Sequence, residues 1–174
     1  MAEPPAAEQP NWLSPEQLHD WKALAGVLVA LPSALESQLR RDSGLSLFSY
    51  LVMAGLSEVP DRSMPMSELV AFTQGSASRL SHTVTQLERQ GWVTRAPSPD
   101  NGRITLATLT DAGFTKLAEA APAHVAEVRK LVVDVLGQDE LGAMGAASRT
   151  LLDALLGVNG CPGQNTTAPQ PHHP

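Results

Sequence analysis

The sequence predicts a mainly α-helical fold with one small β-hairpin, on three observations. Apolar residues make up 43% of the chain and aromatics only 4%, a balance that suits packed helices of alanine, leucine and valine. Those apolar residues recur every three or four positions over most of the length, as they do along one face of a helix. Strand-like residues flank a single stretch of dense turn chemistry, Pro97-Ser98-Pro99-Asp100-Asn101-Gly102. A chain of 174 residues can bury one core and form one domain.

Residues 1–11 are rich in proline, alanine and glutamate, and disorder is expected there. A single domain is expected over 12–157. The first helix opens at Leu13-Ser14-Pro15-Glu16-Gln17-Leu18. Ser14 is placed to cap, Pro15 suits the first helical position, Gln17 completes a capping box, and Leu13 and Leu18 form a staple. Trp21, Leu24, Leu28, Leu31, Leu35 and Leu39 continue it to about Arg40, with a kink expected at Pro32. So long an apolar stripe either covers the chain's own core or shares a dimer interface. A lobe over 45–110 follows. Its first helix runs from Leu47 to about Ser57, with Phe48, Leu51, Val52 and Leu56 for the core. Pro60-Asp61-Arg62-Ser63 reads as a turn, and Met66–Thr73 as a short helix burying Leu69, Val70 and Phe72.

Gln74-Gly75 then turns the chain into the helix that begins at Ser76, an N-cap. Ala77, Leu80, Val84 and Leu87 fall within about a quarter turn of one another at 100° per residue. The opposite side carries Ser78, His82, Thr85 and Arg89, flanked by Arg79, Ser81 and Gln86, with Glu88 off to the side. Gly91 suits the helix stop. Trp92–Ala96 and Ile104–Leu109 read as two strands, and the turn between them holds Arg103 beside its tip. A short helix, a glycine turn, a polar-faced helix and an arginine-tipped hairpin make a winged helix-turn-helix, whose expected partner is double-stranded DNA.

Two amphipathic helices follow, at 111–157. The first starts with Thr110 as cap and runs to about Leu136 through Leu117, Ala121, Val125, Val128, Val132 and Val135, bent at Pro122. The second spans Gln138–Leu156 with Leu141, Met144, Leu151, Leu152 and Leu155 apolar. Together with the first helix they carry more apolar surface than one small winged lobe covers, so 12–43 and 111–157 are expected to dimerise. The tail over 158–174 has no periodicity and is expected to be disordered. Cys161 and the His172-His173 pair are read there as incidental rather than as a redox or metal site.

Charge argues locally. The net charge is −6, yet 61–103 holds five basic and four acidic residues, +1, leaving −7 for the rest. Such asymmetry permits DNA binding and could orient the molecule on a duplex. No apolar run approaches the roughly 20 residues of a membrane span, and the N-terminus lacks a secretory pattern, so a cytoplasmic protein is expected. No carboxylate pair, nucleophile elbow or metal-ligand cluster is spaced for catalysis, and His19, His82 and His124 are scattered, so neither an enzyme nor a cofactor is expected.

The candidate DNA contacts divide by reach. Arg79 and His82, with Ser78 and Ser81, sit early on the polar-faced helix, where side chains meet base edges. Ser76, Ser81 and Thr85 suit phosphates, and Gln86 shares their face. Arg89 and Arg95 lie farther along and would position the protein without reading sequence. Arg103, carried by Asn101-Gly102, fits a narrow minor groove, with Asp100 expected to hold the wing or Arg103 in place. A protein–protein adaptor remains the alternative, given the acidic total. Trp12 and Trp21 either pack or line a pocket for a small aromatic ligand.

The order of these elements, with Met66-Ser67-Glu68-Leu69-Val70, Leu87-Glu88-Arg89-Gln90-Gly91-Trp92-Val93, Asp100-Asn101-Gly102-Arg103 and Leu109-Thr110-Asp111-Ala112-Gly113, resembles the multiple-antibiotic-resistance regulator (MarR) family of bacterial transcription factors, of an actinobacterial type. The resemblance covers about Leu13 to Leu156. It implies a homodimer joined by the first, fifth and sixth helices, recognition helices in successive major grooves, wings in flanking minor grooves, and a repressor of a kind of which many release DNA when a small phenolic or other ligand binds. Three positions depart from the pattern. Ala77 stands where a basic residue is frequent, Pro65 replaces a capping threonine, and no cysteine lies near the N-terminus, against a peroxide-sensing role.

Overall fold

A computed structural model of the chain describes residues 10–157. The expectations for most of 1–11, for the 158–174 tail, for Cys161 and for His172-His173 lie outside the described residues. Among the described residues, no helix is long and apolar enough to cross a membrane.

Helix α1 runs Pro15–Ser43, three residues past the expected end, and passes through Pro32 without breaking. Ser14 and Gln17 form the reciprocal box that was expected. The Gln17 amide donates to Ser14 Oγ (3.2 Å) and the Ser14 amide to Gln17 Oε1 (2.9 Å). Gly44, left-handed at φ 71°, ends the helix. Helix α2 (Leu47–Ser57) is capped by Ser46. Glu36 of α1 reaches the same terminus, its Oε2 accepting from the Leu47 amide at 2.5 Å. A carboxylate there complements both the free N–H group and the helix dipole.

The turn expected at 60–63 is a short 3₁₀ turn (Pro60–Arg62), with Asp61 and Arg62 both at positive φ. It feeds a strand the periodicity did not predict, β1 (Ser63–Pro65). Three residues carry too little alternation to signal a strand, and Pro65 argues against one except at an edge. An edge is where it lies. The sheet order is β1-β3-β2, all antiparallel, with β2 at Val93–Pro97 and β3 at Thr105–Leu109. Ser63 pairs with Thr108, hydroxyl to hydroxyl at 2.8 Å, and Arg95 pairs with Ala107. Both hairpin strands begin one residue later than expected, where the Trp92 and Ile104 amides donate to the Leu87 and Asn101 carbonyls and not across the ladder.

Helices α3 (Met66–Thr73) and α4 (Ala77–Arg89) pack with α2 over a core of Val52, Met53, Leu56, Leu69, Leu80, Val84, Leu87, Val93 and Ala107. Fully burying each large aliphatic side chain is worth about 1.5–3 kcal/mol. On α4 the buried face is Leu80, Thr83, Val84 and Leu87; Ala77, expected inside, is exposed in the first turn, before the helix reaches the core. Phe72 of α3, also expected inside, is 46% exposed.

Helix α5 (Asp111–Val128) runs through Pro122 and ends short of Leu136. Its start is tied to the end of α4. Thr110 Oγ1 donates to the Gly91 carbonyl (2.7 Å) and accepts from the Gly113 amide (3.0 Å). Gly113 packs so closely that a Cβ there would lie 2.1 Å from the Trp92 carbonyl oxygen. Farther along, His124 is buried against Gln38 of α1 (3.1 Å) and the Tyr50 ring of α2. Residues up to Val128 form one compact unit. The second begins at Arg129 with a π-helical turn to Val133, where Arg129 pairs with Asp134 at 2.5 Å. It continues as α6 (Gln138–Leu156), in which Leu151, Leu152, Leu155 and Leu156 are 43–80% exposed.

Candidate nucleic-acid interface

The turn between α3 and α4 falls at Gln74-Gly75, as expected. Gln74, not Gly75, takes the left-handed conformation, at φ 53°. Gly75 is needed for room, since a Cβ there would meet the Phe48 ring at 2.6 Å. Ser76 caps α4 as expected, its Oγ accepting from the Arg79 amide at 3.2 Å. Its side chain therefore already serves the helix.

Ser78, Arg79, Ser81, His82, Gln86 and Arg89 are all exposed on α4, on the side away from the core. Three of them are pre-oriented. The Arg79 guanidinium stacks over the Phe48 ring, 4.2 Å from its centroid. A guanidinium held over an aromatic face keeps its N–H fork free at the edges. His82 shares a hydrogen bond of 3.0 Å with Gln86 one turn on, which fixes both side chains along the helix surface. Two open clefts flank the N-terminus of α2. One, of about 540 Å³, lies among Arg40, Ser46, Gln86, Arg89 and Trp92. The other, of about 530 Å³, lies among Glu36, Leu47, Arg79, His82 and Thr83.

Thr85 and Arg95 are committed inward. Arg95 Nη2 donates to Glu88 Oε2 and, at 3.0 Å, to Thr85 Oγ1, while Thr85 Oγ1 donates to the Ser81 carbonyl at 2.9 Å. The guanidinium beside Glu88 holds that carboxyl below its ordinary range, and Glu88 in turn raises Arg95. The polar side of α4 consequently presents no unpaired carboxylate.

At the wing, the Ser98 amide donates to the Ile104 carbonyl (2.8 Å) and the Ile104 amide to the Asn101 carbonyl (2.9 Å), which closes the loop. Asn101 Oδ1 accepts from the Arg103 amide at 3.1 Å. The bracing expected of Asp100 thus falls to Asn101, whose side chain reaches its own backbone two residues on, a short-range Asx habit. Arg103 and Gly102 are exposed at the tip.

Sequence reasoning missed Phe48 as a support for Arg79 and Glu36 as a cap for α2; each contact joins residues 11 or more apart, and no local pattern marks it. Trp12 and Trp21 do not pack into the core. They are 81% and 51% exposed.

Comparison with known proteins agrees on one family. Residues 43–104 match the model of the MarR family. Among solved structures, the chain is similar to Sco3205 of Streptomyces coelicolor, a MarR family transcriptional regulator in complex with DNA. The two share 35% identity over 86% of this chain and 93% of the other, with a TM-score of 0.81. It is similar also to AbsC of the same organism, a MarR family transcriptional regulator, at 32% identity over 85% and 99%, TM-score 0.81. A mutant MarR from E. coli complexed with operator DNA shares the fold, with a TM-score of 0.68 at 18% identity. Comparison with curated protein sequences finds no match. With its winged helix, its carboxylate-neutral polar helix and these likenesses, the chain belongs to the MarR family of DNA-binding transcriptional regulators.

Proposed function

We propose that the chain is a homodimeric repressor that reads a pseudo-palindromic operator. The observation that carries this reading is the exposed side of α4, where arginine, histidine, serine and glutamine side chains stand with no unpaired carboxylate beside an arginine-tipped wing. Arg79 and His82, assisted by Ser78, Ser81 and Gln86, meet base edges in the major groove, where arginine pairs with guanine and histidine can donate. Arg89 takes a phosphate, and the capped N-terminus at Ser76 lies against the backbone. Arg103, presented by Asn101 and Gly102, enters the minor groove. Regulation follows if a small aromatic ligand binds and releases the DNA.

Dimerisation is supported by α1. Its N-terminal half exposes Trp21, Leu24, Val27, Leu28 and Val29 at 39–75%. A second copy related by a two-fold axis would cover that face and set two α4 helices about 34–36 Å apart, one turn of duplex.

Selection from a random DNA pool, followed by binding across a salt series, tests the reading. A pseudo-palindromic consensus bound with steeply falling affinity as salt rises is expected. A pool that never enriches, with retention indifferent to salt, would overturn the reading in favour of the protein–protein adaptor.

A further inference from the structure

Arg95 stands on β2 but spends its guanidinium on α4. The same nitrogen, Nη2, donates to Glu88 Oε2 and to Thr85 Oγ1. The Arg95 and Glu88 side chains are only 28% and 29% exposed, the most covered ion pair among those described here. Thr85 is anchored further, to the Ser81 carbonyl on the preceding turn. Two α4 side chains one turn apart therefore grip one side chain of the wing.

We propose that Arg95, Glu88 and Thr85 form a latch that fixes the wing's tilt against the recognition helix. Arg95 is then a positioning residue for DNA binding and not a phosphate contact. This rests on the reading above, in which α4 and the wing engage one duplex. Geometry makes the latch consequential. The wing tip is about five residues beyond Arg95, or roughly 17 Å at about 3.3 Å per strand residue. A tilt of about 10° at the latch would move Arg103 by about 3 Å, the whole length of a hydrogen bond. Electrostatics points the same way. A lone Glu88 on a helix seated in a groove would repel the polyanion, whereas the pair is neutral.

The experiment uses the full chain and the selected operator, with fluorescence anisotropy over a salt series and a thermal melt of each variant. Native protein bound with a steep salt slope tests the DNA reading; failure there would overturn that reading and the latch together. With the native protein bound, Glu88→Gln should weaken affinity roughly tenfold although it removes a negative charge from the DNA side. Arg95→Met should do the same, and the double variant, in which no charge is left unpaired, should lose no more than either single and keep the native salt slope. In the latch-broken chain, Arg103→Ala should cost less than it costs in the native chain. Thr85→Val, a near-isosteric change, is the second probe if the charge variants melt early, and it should reproduce a smaller loss. The latch is overturned if Glu88→Gln tightens binding. It is overturned equally if the double variant flattens the salt slope by about one unit, because that is the mark of a lost phosphate contact.

Discussion

Leu28→Asp separates what the chain does alone from what it does as a pair. Trp21, Leu24, Leu28, Leu35 and Leu39 lie on one stripe of α1, at three-, four- and seven-residue spacings. Its C-terminal end is covered, with Leu39 0% exposed; its N-terminal end is not, with Leu28 at 59%. Fully burying a leucine is worth about 1.5–3 kcal/mol, so the single chain already gains about two-fifths of that at Leu28, near 1 kcal/mol. The remaining 1–2 kcal/mol or so is available only at an interface, and a two-fold interface contains the residue twice. Losing about 2–4 kcal/mol raises the dimer dissociation constant about 30- to 700-fold at 1.4 kcal/mol per decade. Burial of an unpaired carboxylate adds to that. Light scattering and sedimentation at micromolar concentration should find the native protein at about twice its 18.4 kDa chain mass and the variant largely monomeric but still folded. Operator affinity should fall with it. A native chain that is monomeric and binds tightly, or a variant that remains dimeric, would refute the reasoning.

The other expectations are local. Arg103→Ala should weaken operator binding by about 1–3 kcal/mol while leaving the melting temperature in place, and unchanged affinity would remove the wing tip from the interface. Arg79→Ala and His82→Ala should each relax preference at particular base pairs in a repeated selection, whereas Arg89→Ala should weaken all sequences alike and flatten the salt slope by about one unit; a reversed pattern would exchange their roles. His124, buried against Gln38 and Tyr50, has its pKa lowered from 6.5 by desolvation. Stability should therefore be full above about pH 6.5, fall as the unfolded chain takes up a proton that the folded chain refuses, and level off below the folded value, at about 1.4 kcal/mol for each unit of lowering. Chemical denaturation at pH 7.5 and pH 5.5 checks this, and a His124→Gln chain with the same pH dependence would assign the loss elsewhere.

What could be read from the sequence was whatever a few neighbouring residues decide. The Ser14–Gln17 box, the Ser76 cap and the wing loop each close within a handful of residues, and each stands where its pattern implied. The strand β1 escaped because its partner, β3, begins 40 residues beyond it, and the support of Arg79 by Phe48 escaped for the same reason. The candidate contacts show the limit most clearly. In the sequence, Arg89 ends the polar helix face and Arg95 follows it, and nothing in either neighbourhood ranks them. Folding does rank them. The register that pairs Arg95 with Ala107 brings its side chain back over Thr85 and Glu88, while Arg89, at the last turn of α4, stays exposed. That pairing also sharpens where the positive charge lies. The +1 over 61–103 is unchanged by it, since Arg95 and Glu88 cancel each other, but the one acidic side chain of α4 is spent on that pair. The side of α4 offered to DNA therefore carries Arg79 and Arg89 unopposed, with Arg103 alongside. Near-field charge of this kind governs binding to phosphates within a Debye length of about 8–10 Å. A charge of −7, spread over the rest of the molecule, is no obstacle to it.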